Sequence, residues 1–115
     1  MTDRCLFCRI VAGEIPAKKA YEDDAVVAFH DINPQAPVHI LVIPRRHIAS
    51  LDDLTEADAN TVGTVVVRAA NIARTMQLEQ DGYRLVVNMG EGAGQTVFHI
   101  HFHILGGRRF SWPPG

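Results

Sequence analysis

The chain has 115 residues, 47% of them hydrophobic, and it carries 11 basic and 13 acidic side chains. This length predicts one domain, residues 1–115, and the balanced charge gives no cationic face for binding long nucleic acid. No apolar run approaches the roughly 20 residues that cross a bilayer, and the opening MTDRCLFC lacks a signal-peptide pattern, so we expect a cytoplasmic protein without a membrane partner.

Hydrophobic periodicity divides the chain into two helices and five strands. Thr55 and Asp58 form a capping-box pattern at the start of the longer helix. Strands that follow one another through short connections, with one long helix among them, indicate an α+β fold with an antiparallel sheet. The predicted elements are helices at 5–12 and 56–77 and strands at 18–22, 25–30, 39–44, 83–89 and 98–105.

The long helix is apolar around most of its circumference, since Val67 and Ala70 lie outside its main stripe. One face should cover the sheet. We expect the other to meet a second subunit, although a helix buried within a monomer would show the same wide stripe.

The segment HIHFHILGG, residues 99–107, places three histidines at two-residue spacing. On a strand, His99, His101 and His103 share one face, while Ile100, Phe102 and Ile104 share the other and should pack under the long helix. His99 and His103 would then lie about 13 Å apart. Zinc–nitrogen bonds are about 2.0–2.1 Å long, so one ion cannot bind all three rings. A row of imidazoles in a groove fits better than a single metal site, although half-exposed strand residues without chemistry would give the same pattern.

An imidazole has a pKa near neutrality and can act as a nucleophile, a base or an acid. Attack on phosphorus would form a covalent intermediate and divide one displacement into two. The preceding stretch NMGEGAGQT, residues 88–96, offers glycines whose backbone N–H groups could surround a phosphate. A glycine-rich stretch between strands is more often a plain hairpin, and this one lacks the Lys-Ser/Thr of a P-loop.

These motifs together resemble a known family. HIHFHILGG matches the histidine triad signature, and the likeness continues through EIPAKKAYEDD, AFHDINPQAPVHILVIPRRHI, YRLVVNMGEGAGQTVFHIH and WPPG. Over essentially the whole chain the sequence resembles the Hint branch of the histidine triad superfamily, the nucleotide-binding phosphoramidases. The resemblance implies an α+β, HIT-like fold with a five-stranded antiparallel sheet, one long and one short helix. It also implies a homodimer with a continuous ten-stranded sheet.

The resemblance further implies an enzyme that hydrolyses the P–N bond of purine nucleoside 5′-phosphoramidates, such as AMP joined to an amine or to lysine. His101 would be the nucleophile that becomes nucleotidylated, with His103 and His39 completing the catalytic site. Thr96 stands where the family often has Ser, and Trp112 would reach the other subunit's site. The implied substrate-binding residues are Leu6, Phe7, Ile10, Phe29, His30, Asp31, Ile32, Asn88, Gly94, Gln95, Thr96 and Trp112.

Several of these residues have a purely structural alternative. His39 opens an apolar strand and could be a core histidine, and Phe29 and Ile32 could be ordinary core. Asp31 could shape the turn that follows it, and Trp112 could cover a hydrophobic edge.

Cys5 and Cys8 are three residues apart, so a helix would turn both thiols the same way. A reduced cytosol disfavours a structural disulfide, and the spacing alone leaves zinc, redox chemistry and two free thiols open. The resemblance implies a structural zinc bound by Cys5, Cys8, His47 and His99, and no organic cofactor.

Three further functions compete with the phosphoramidase. A nucleotide-binding or scaffolding module would need no turnover, and a metal-dependent hydrolase would use His99 and His101 as ligands. A dinucleoside polyphosphate hydrolase belongs to the same superfamily, but WPPG and the Gly-Gln-Thr before the last strand favour Hint.

Overall fold

The computed structural model describes residues 4–115, so residues 1–3 of the predicted domain lie outside the described residues. Its regular elements follow the predicted order, with short 3₁₀ turns at Leu51–Asp53, Glu56–Asp58 and Glu91–Ala93. The helices are α1 (Leu6–Val11) and α2 (Ala59–Thr75), and the strands are β1 (Lys19–Glu22), β2 (Val26–His30), β3 (Val38–Pro44), β4 (Tyr83–Val86) and β5 (Phe102–Gly106).

The described strands form one antiparallel sheet in the order β1-β2-β3-β5-β4. β1 and β2 form the predicted hairpin, whose turn is held by Asp23, because its Oδ1 accepts the N–H groups of Ala25 at 2.8 Å and Val26 at 2.9 Å. The predicted α+β architecture with a five-stranded antiparallel sheet is therefore confirmed.

The long helix begins through the predicted capping box. The carboxylate of Asp58 accepts the backbone N–H of Thr55 at 2.9 Å, and the backbone N–H of Asp58 lies against the Thr55 side chain. A 3₁₀ turn at Glu56–Asp58 precedes α2, which ends at Thr75, so the regular helix is shorter at both ends than the predicted 56–77.

Helices cover both faces of the sheet, and the strand alternation sorts the core into two clusters. Under α2, Ile100, Phe102 and Ile104 pack with Val65 and Ala69, as the two-residue period predicted. On the opposite face, residues of α1 pack against intervening residues of β2 and β3; this cluster contains Phe7, Ile10, Val27, Phe29, Leu41 and Ile43.

The last strand is shorter than the predicted 98–105, and this prediction is wrong at its start. β5 begins at Phe102, which pairs with Val42 of β3. Beyond that pair β3 ends at Pro44, which has no N–H to donate, and the Pro44 carbonyl oxygen lies 2.8 Å from Nε2 of His99. Ile100 instead donates its N–H to the Ile48 carbonyl oxygen at 2.6 Å. Of the three histidines, only His103 is therefore on the strand.

Strand β4 ends at Val86, three residues before the predicted end at residue 89. Val87 still packs against the core under α2. Its apolar side chain therefore fits the hydrophobic pattern of the strand although its backbone has left the ladder.

The outer face of α2 exposes apolar side chains, including Val66 and Val67. This exposure is compatible with the expected second subunit, which stays a prediction. Within residues 4–115, neither helix has the length and hydrophobicity needed to span a bilayer.

Candidate functional site

The candidate nucleophile His101 lies in the extended segment just before β5, with its ring buried. Its Nδ1 is 2.8 Å from the carbonyl oxygen of His99. A carbonyl can only accept, so Nδ1 carries the proton and Nε2 keeps the lone pair. Burial lowers the pKa of His101, which keeps the ring neutral at pH 7. The ring is therefore in the protonation state that a nucleophile requires.

His103, on β5 two residues after the nucleophile, links it to β3. The ring centroids of His101 and His103 are 5.0 Å apart, and Nδ1 of His103 is 2.9 Å from Nε2 of His39. Burial lowers the pKa of His39, and it lowers that of His103 to about 4. The three catalytic candidates therefore form one contiguous group of neutral rings.

Asp31 joins this group from the turn after β2. Its Oδ2 is 3.4 Å from Nε2 of His39, while its Oδ1 accepts the backbone N–H of Asn33 at 2.8 Å. Asp31 thus does shape the turn, and one carboxylate oxygen still faces His39. The side chain of Ile32 beside it is exposed rather than core.

An aromatic cluster lies against the nucleophile on the α1 side of the sheet. The ring of Phe7 meets the rings of Phe29 and His101 edge-on, with centroids 5.3 Å and 5.1 Å away. Ile10 belongs to the same buried cluster, while Leu6 remains largely exposed at the start of α1. The structure therefore brings three of the predicted base-pocket residues together next to His101.

The glycine-rich loop, residues 88–96, lies between β4 and β5, and hydrogen bonds of Gln95 hold it in shape. Its side-chain oxygen accepts the N–H of Gly90 at 2.9 Å, its amide nitrogen donates to Ala49 O at 2.8 Å, and its own backbone N–H donates to Gly90 O at 3.0 Å. Gly94 has a φ of +94°, a conformation that favours glycine. Gln95 is buried with its polar groups bonded to the loop and to Ala49, whereas Thr96 is exposed.

The C-terminal segment packs on the end of the sheet through cation–π contacts. The guanidinium groups of Arg84 and Arg108 lie 5.1 Å and 4.2 Å from the ring centroid of Phe110, and Arg84 also donates to the Ser111 carbonyl oxygen. Trp112 projects from this segment with 83% of its surface exposed. Within the chain, Trp112 is not part of the buried cluster around His101.

A second group of side chains combines two thiols and two imidazoles from separate parts of the chain. The ligand atoms of Cys5, Cys8, His47 and His99 all lie within 4.8 Å of one another. Cys8 Sγ is 3.2 Å from Nδ1 of His47 and 3.4 Å from Nδ1 of His99, and the two Nδ1 atoms are 3.3 Å apart. Tetrahedral zinc, with bonds of about 2.3 Å to sulfur and 2.0 Å to nitrogen, separates its ligand atoms by about 3.3–3.8 Å. The spacing of this cluster therefore fits a tetrahedral ion.

The ring orientation of His99 also suits metal binding. Because its Nε2 donates to the Pro44 carbonyl oxygen, Nδ1 keeps a lone pair directed at the thiols. Burial together with the neighbouring Cys5 thiol raises the pKa of Cys8 to about 11, so the Cys8 thiol stays protonated unless a cation is bound. The cluster is thus arranged for an ion that would displace its protons.

Two backbone groups that orient the rings were not predicted from the sequence. Gln35 donates its N–H to Nδ1 of His39 at 3.0 Å, and Pro44 accepts from His99. The only sequence signal for the first was the turn Asn33-Pro34-Gln35, which ends four residues before His39.

Comparison with known proteins agrees with this architecture. Residues 12–110 match the family described as HIT domain. The purine nucleoside phosphoramidase of Escherichia coli K12 is 44% identical over 108 residues, which cover 94% of this chain and 91% of the relative. A HIT family hydrolase from Legionella pneumophila superposes with a TM-score of 0.96 at 49% identity, covering 97% of this chain and 100% of that chain. A zinc-bound histidine triad family protein from Mycobacterium smegmatis gives a TM-score of 0.78 at 36% identity, covering 100% of this chain and 82% of that chain. The chain belongs to the HIT domain family.

Proposed function

We propose that this protein is a hydrolase that cleaves the P–N bond of purine nucleoside 5′-phosphoramidates through a nucleotidyl intermediate on His101. The supporting observation is the neutral His101 ring, whose Nδ1–H is bound to His99 O at 2.8 Å and whose Nε2 therefore keeps the lone pair. Family membership and the 44% identical relative named purine nucleoside phosphoramidase support the reaction class.

The reaction would run as two displacements at phosphorus. Nε2 of His101 attacks the α-phosphorus, the P–N bond breaks, and the leaving nitrogen takes a proton from solvent and departs as an amine; the water of the second step returns a proton to solvent. The imidazole is then cationic, and the His99 carbonyl oxygen stabilises it because a hydrogen bond from a charged donor is stronger. Water attacks the adduct, releases the nucleoside monophosphate and restores neutral His101.

The surroundings of His101 supply groups for the rest of the substrate. His103 lies next to the nucleophile and would donate a hydrogen bond to the phosphate or the leaving nitrogen. Thr96 is exposed at the end of the glycine-rich loop, where its hydroxyl and its backbone N–H would meet phosphate oxygens. Asn88 and Gly94 belong to the same proposed phosphate site, while Gln95 would serve it by holding the loop in shape.

The nucleoside would occupy the space between α1 and the turn after β2. Phe7 and Phe29 would pack against the purine, with Leu6, Ile10, His30 and Ile32 around them, and the carboxylate of Asp31 would accept from the ribose hydroxyls. In the proposed homodimer, the exposed Trp112 of one protomer would reach towards the site of its partner.

A zinc ion would be bound by Cys5, Cys8, His47 and His99, whose spacing fits tetrahedral coordination. When bound, it would cross-link α1 to the segment after β3 and to the segment before β5. It would not supply a reactive water, because four protein ligands leave no open position. The zinc-bound relative from Mycobacterium smegmatis supports this assignment.

Incubation of the purified protein with adenosine 5′-phosphoramidate tests the activity, with AMP and ammonia measured over time. The account predicts AMP release that persists after dialysis against a chelator, provided that the fold is retained. No AMP release by the wild type would favour a nucleotide-binding module instead. Release that stops on chelation without unfolding would favour a metal-dependent hydrolase, and preferential cleavage of diadenosine polyphosphates would favour the related hydrolase branch.

A further inference from the structure

The protonation of His39 is determined by a backbone group. The N–H of Gln35 points at Nδ1 of His39 over 3.0 Å. A backbone N–H can only donate, so Nδ1 must present a lone pair, and the proton of neutral His39 is on Nε2. While this bond exists, His39 cannot become a doubly protonated imidazolium.

The tautomer of His39 determines the tautomer of His103. Nε2–H of His39 faces Nδ1 of His103 at 2.9 Å and Oδ2 of Asp31 at 3.4 Å. In the shorter contact His39 is the donor, so Nδ1 of His103 accepts and the proton of neutral His103 is on Nε2. The order of donors therefore runs from Gln35 through His39 to His103 without a reversal.

The last donor in this series of hydrogen bonds, Nε2–H of His103, has no acceptor among the described residues. Nε2 of His103 is buried and lacks a hydrogen-bond partner among residues 4–115. Buried polar groups in native proteins nearly always have hydrogen-bond partners. A buried N–H without one therefore points to a partner from outside the protein. A bound phosphate oxygen or leaving nitrogen would be such an acceptor.

The same donor order argues against a metal ion at this place. Asp31, His39 and His103 offer ligand atoms within 4.8 Å of one another, a spacing that suits an ion. However, the nitrogen of His39 that faces the other two carries the proton, and moving it to Nδ1 would set two N–H groups against each other. A ligand that accepts hydrogen bonds fits this group better than a cation.

We propose that the backbone N–H of Gln35 is a positioning group that, through His39, keeps His103 as an Nε2–H donor directed at the substrate. The reverse order would turn a lone pair of His103 towards an anionic phosphate. The turn that presents this N–H is braced: the Gln35 side chain donates to Asn33 O at 3.0 Å, and Arg108 donates to Gln35 O at 3.1 Å. The inference rests on the proposed function only for the identity of the acceptor.

Nitrogen-15 NMR of the histidine rings in the wild-type protein at pH 7 tests the donor order directly. We expect His39 and His103 each to carry the proton on Nε2 and none on Nδ1, with signals assigned from single-histidine variants. A proton on Nδ1 of either ring would overturn the proposal. This readout is independent of turnover, so absence of AMP release would count against the proposed function and not against the donor order.

Gln35→Pro removes the N–H, whereas Gln35→Ala keeps it and serves as the matched control. In Gln35→Pro we expect both tautomers at His39 and His103, with kcat lower by roughly 10–100-fold, the usual effect of losing an orienting partner, and KM much less affected. Gln35→Ala keeps the backbone N–H and loses only the side-chain bond to Asn33 O, so it should keep the wild-type tautomers. Wild-type tautomers in a folded Gln35→Pro protein would contradict the proposal.

A second pair of variants covers the case in which Gln35→Pro does not fold. His39→Gln places an amide N–H where Nε2 of His39 lies, and this donor does not depend on Gln35. His103 should therefore keep its proton on Nε2 in His39→Gln and become a mixture of tautomers in His39→Leu. An unchanged His103 tautomer in His39→Leu would show that the chain of donors does not determine it.

Discussion

The Nδ1–H of His101 donates to the carbonyl oxygen of His99 over 2.8 Å, and the ring of the same His99 belongs to the thiol–imidazole cluster. One residue thus contacts the candidate nucleophile through its backbone and the candidate metal site through its side chain. Phe7 reinforces the link, since its ring meets both His99 and His101 edge-on, with centroids 6.1 Å and 5.1 Å away. Packing at the cluster therefore supports the position of the nucleophile.

Replacement of His101 should separate binding from chemistry. His101→Asn removes the attacking nitrogen and little packing, so turnover of adenosine 5′-phosphoramidate should be lost while AMP binding, measured by calorimetry, stays close to wild type. Thr96→Ser, which keeps the hydroxyl, is the control and should retain activity. A His101→Asn protein with a near-normal rate would contradict the role of this ring.

The rate should depend on pH through the neutral form of His101. Burial lowers its pKa below the ordinary value of 6.5, so the nucleophile loses its lone pair only under more acidic conditions. The plot of kcat/KM against pH should therefore be flat around pH 7 and fall on the acid side with a midpoint below 6.5. A fall that begins above pH 7 would mean that a different group controls the reaction.

Folding stability should also decrease on acidification. Burial lowers the pKa of His103 from 6.5 to about 4 in the folded protein, so the unfolded chain binds more protons between these values. Stability is then fully retained above pH 6.5 and declines as the pH falls towards 4. Urea denaturation of metal-free protein across this range should show the decline, with a shallower slope in His103→Asn. Equal slopes in the two proteins would exclude His103 as a source.

Phe102 should be a major contributor to stability. Its ring is 5% exposed and packs under α2, so Phe102→Ala should reduce the free energy of unfolding by about 3–5 kcal/mol. Phe98, 51% exposed just before the histidines, provides the control, and Phe98→Ala should have a much smaller effect on the monomeric fold. Denaturant titrations would measure both, and similar losses for the two variants would contradict the assigned packing.

Metal removal should affect the fold more than the chemistry. Protein purified without chelator should contain one zinc per chain, and chelation should lower its melting temperature, because folding and binding of the ligands are coupled. Cys8→Ser should weaken retention of the metal, whereas a substitution at the exposed Arg9 next to it should not. A melting temperature that is insensitive to both zinc and chelator would leave Cys5 and Cys8 as free thiols.

Much of the fold could be predicted because the sequence periodicity reports which face of each element is buried. The alternation of Ile100, Phe102 and Ile104 identified the residues that pack under α2. The same alternation is already present in residues 98–101, which precede the strand. It therefore could not show that β5 begins at Phe102. That boundary depends on Pro44 at the end of the neighbouring strand, a long-range effect that one segment cannot reveal.

The residue types of the candidate site could be predicted from the sequence, but the orientation of its histidine rings could not. Spacing indicated that His99 would be separate from His103, and the structure places His99 with Cys5 and Cys8. The backbone partners Gln35 and Pro44, which determine where each ring carries its proton, come from distant turns and have no side-chain motif.

Trapping the covalent intermediate would identify the residue that attacks phosphorus. Wild-type protein mixed with adenosine 5′-phosphoramidate, quenched within the first turnovers and digested, would be analysed by mass spectrometry for an adenylyl group. The account predicts the adduct on the ring of His101 and its absence in His101→Asn. An adduct on another residue, or AMP release by active protein with no adduct at any time point, would contradict it.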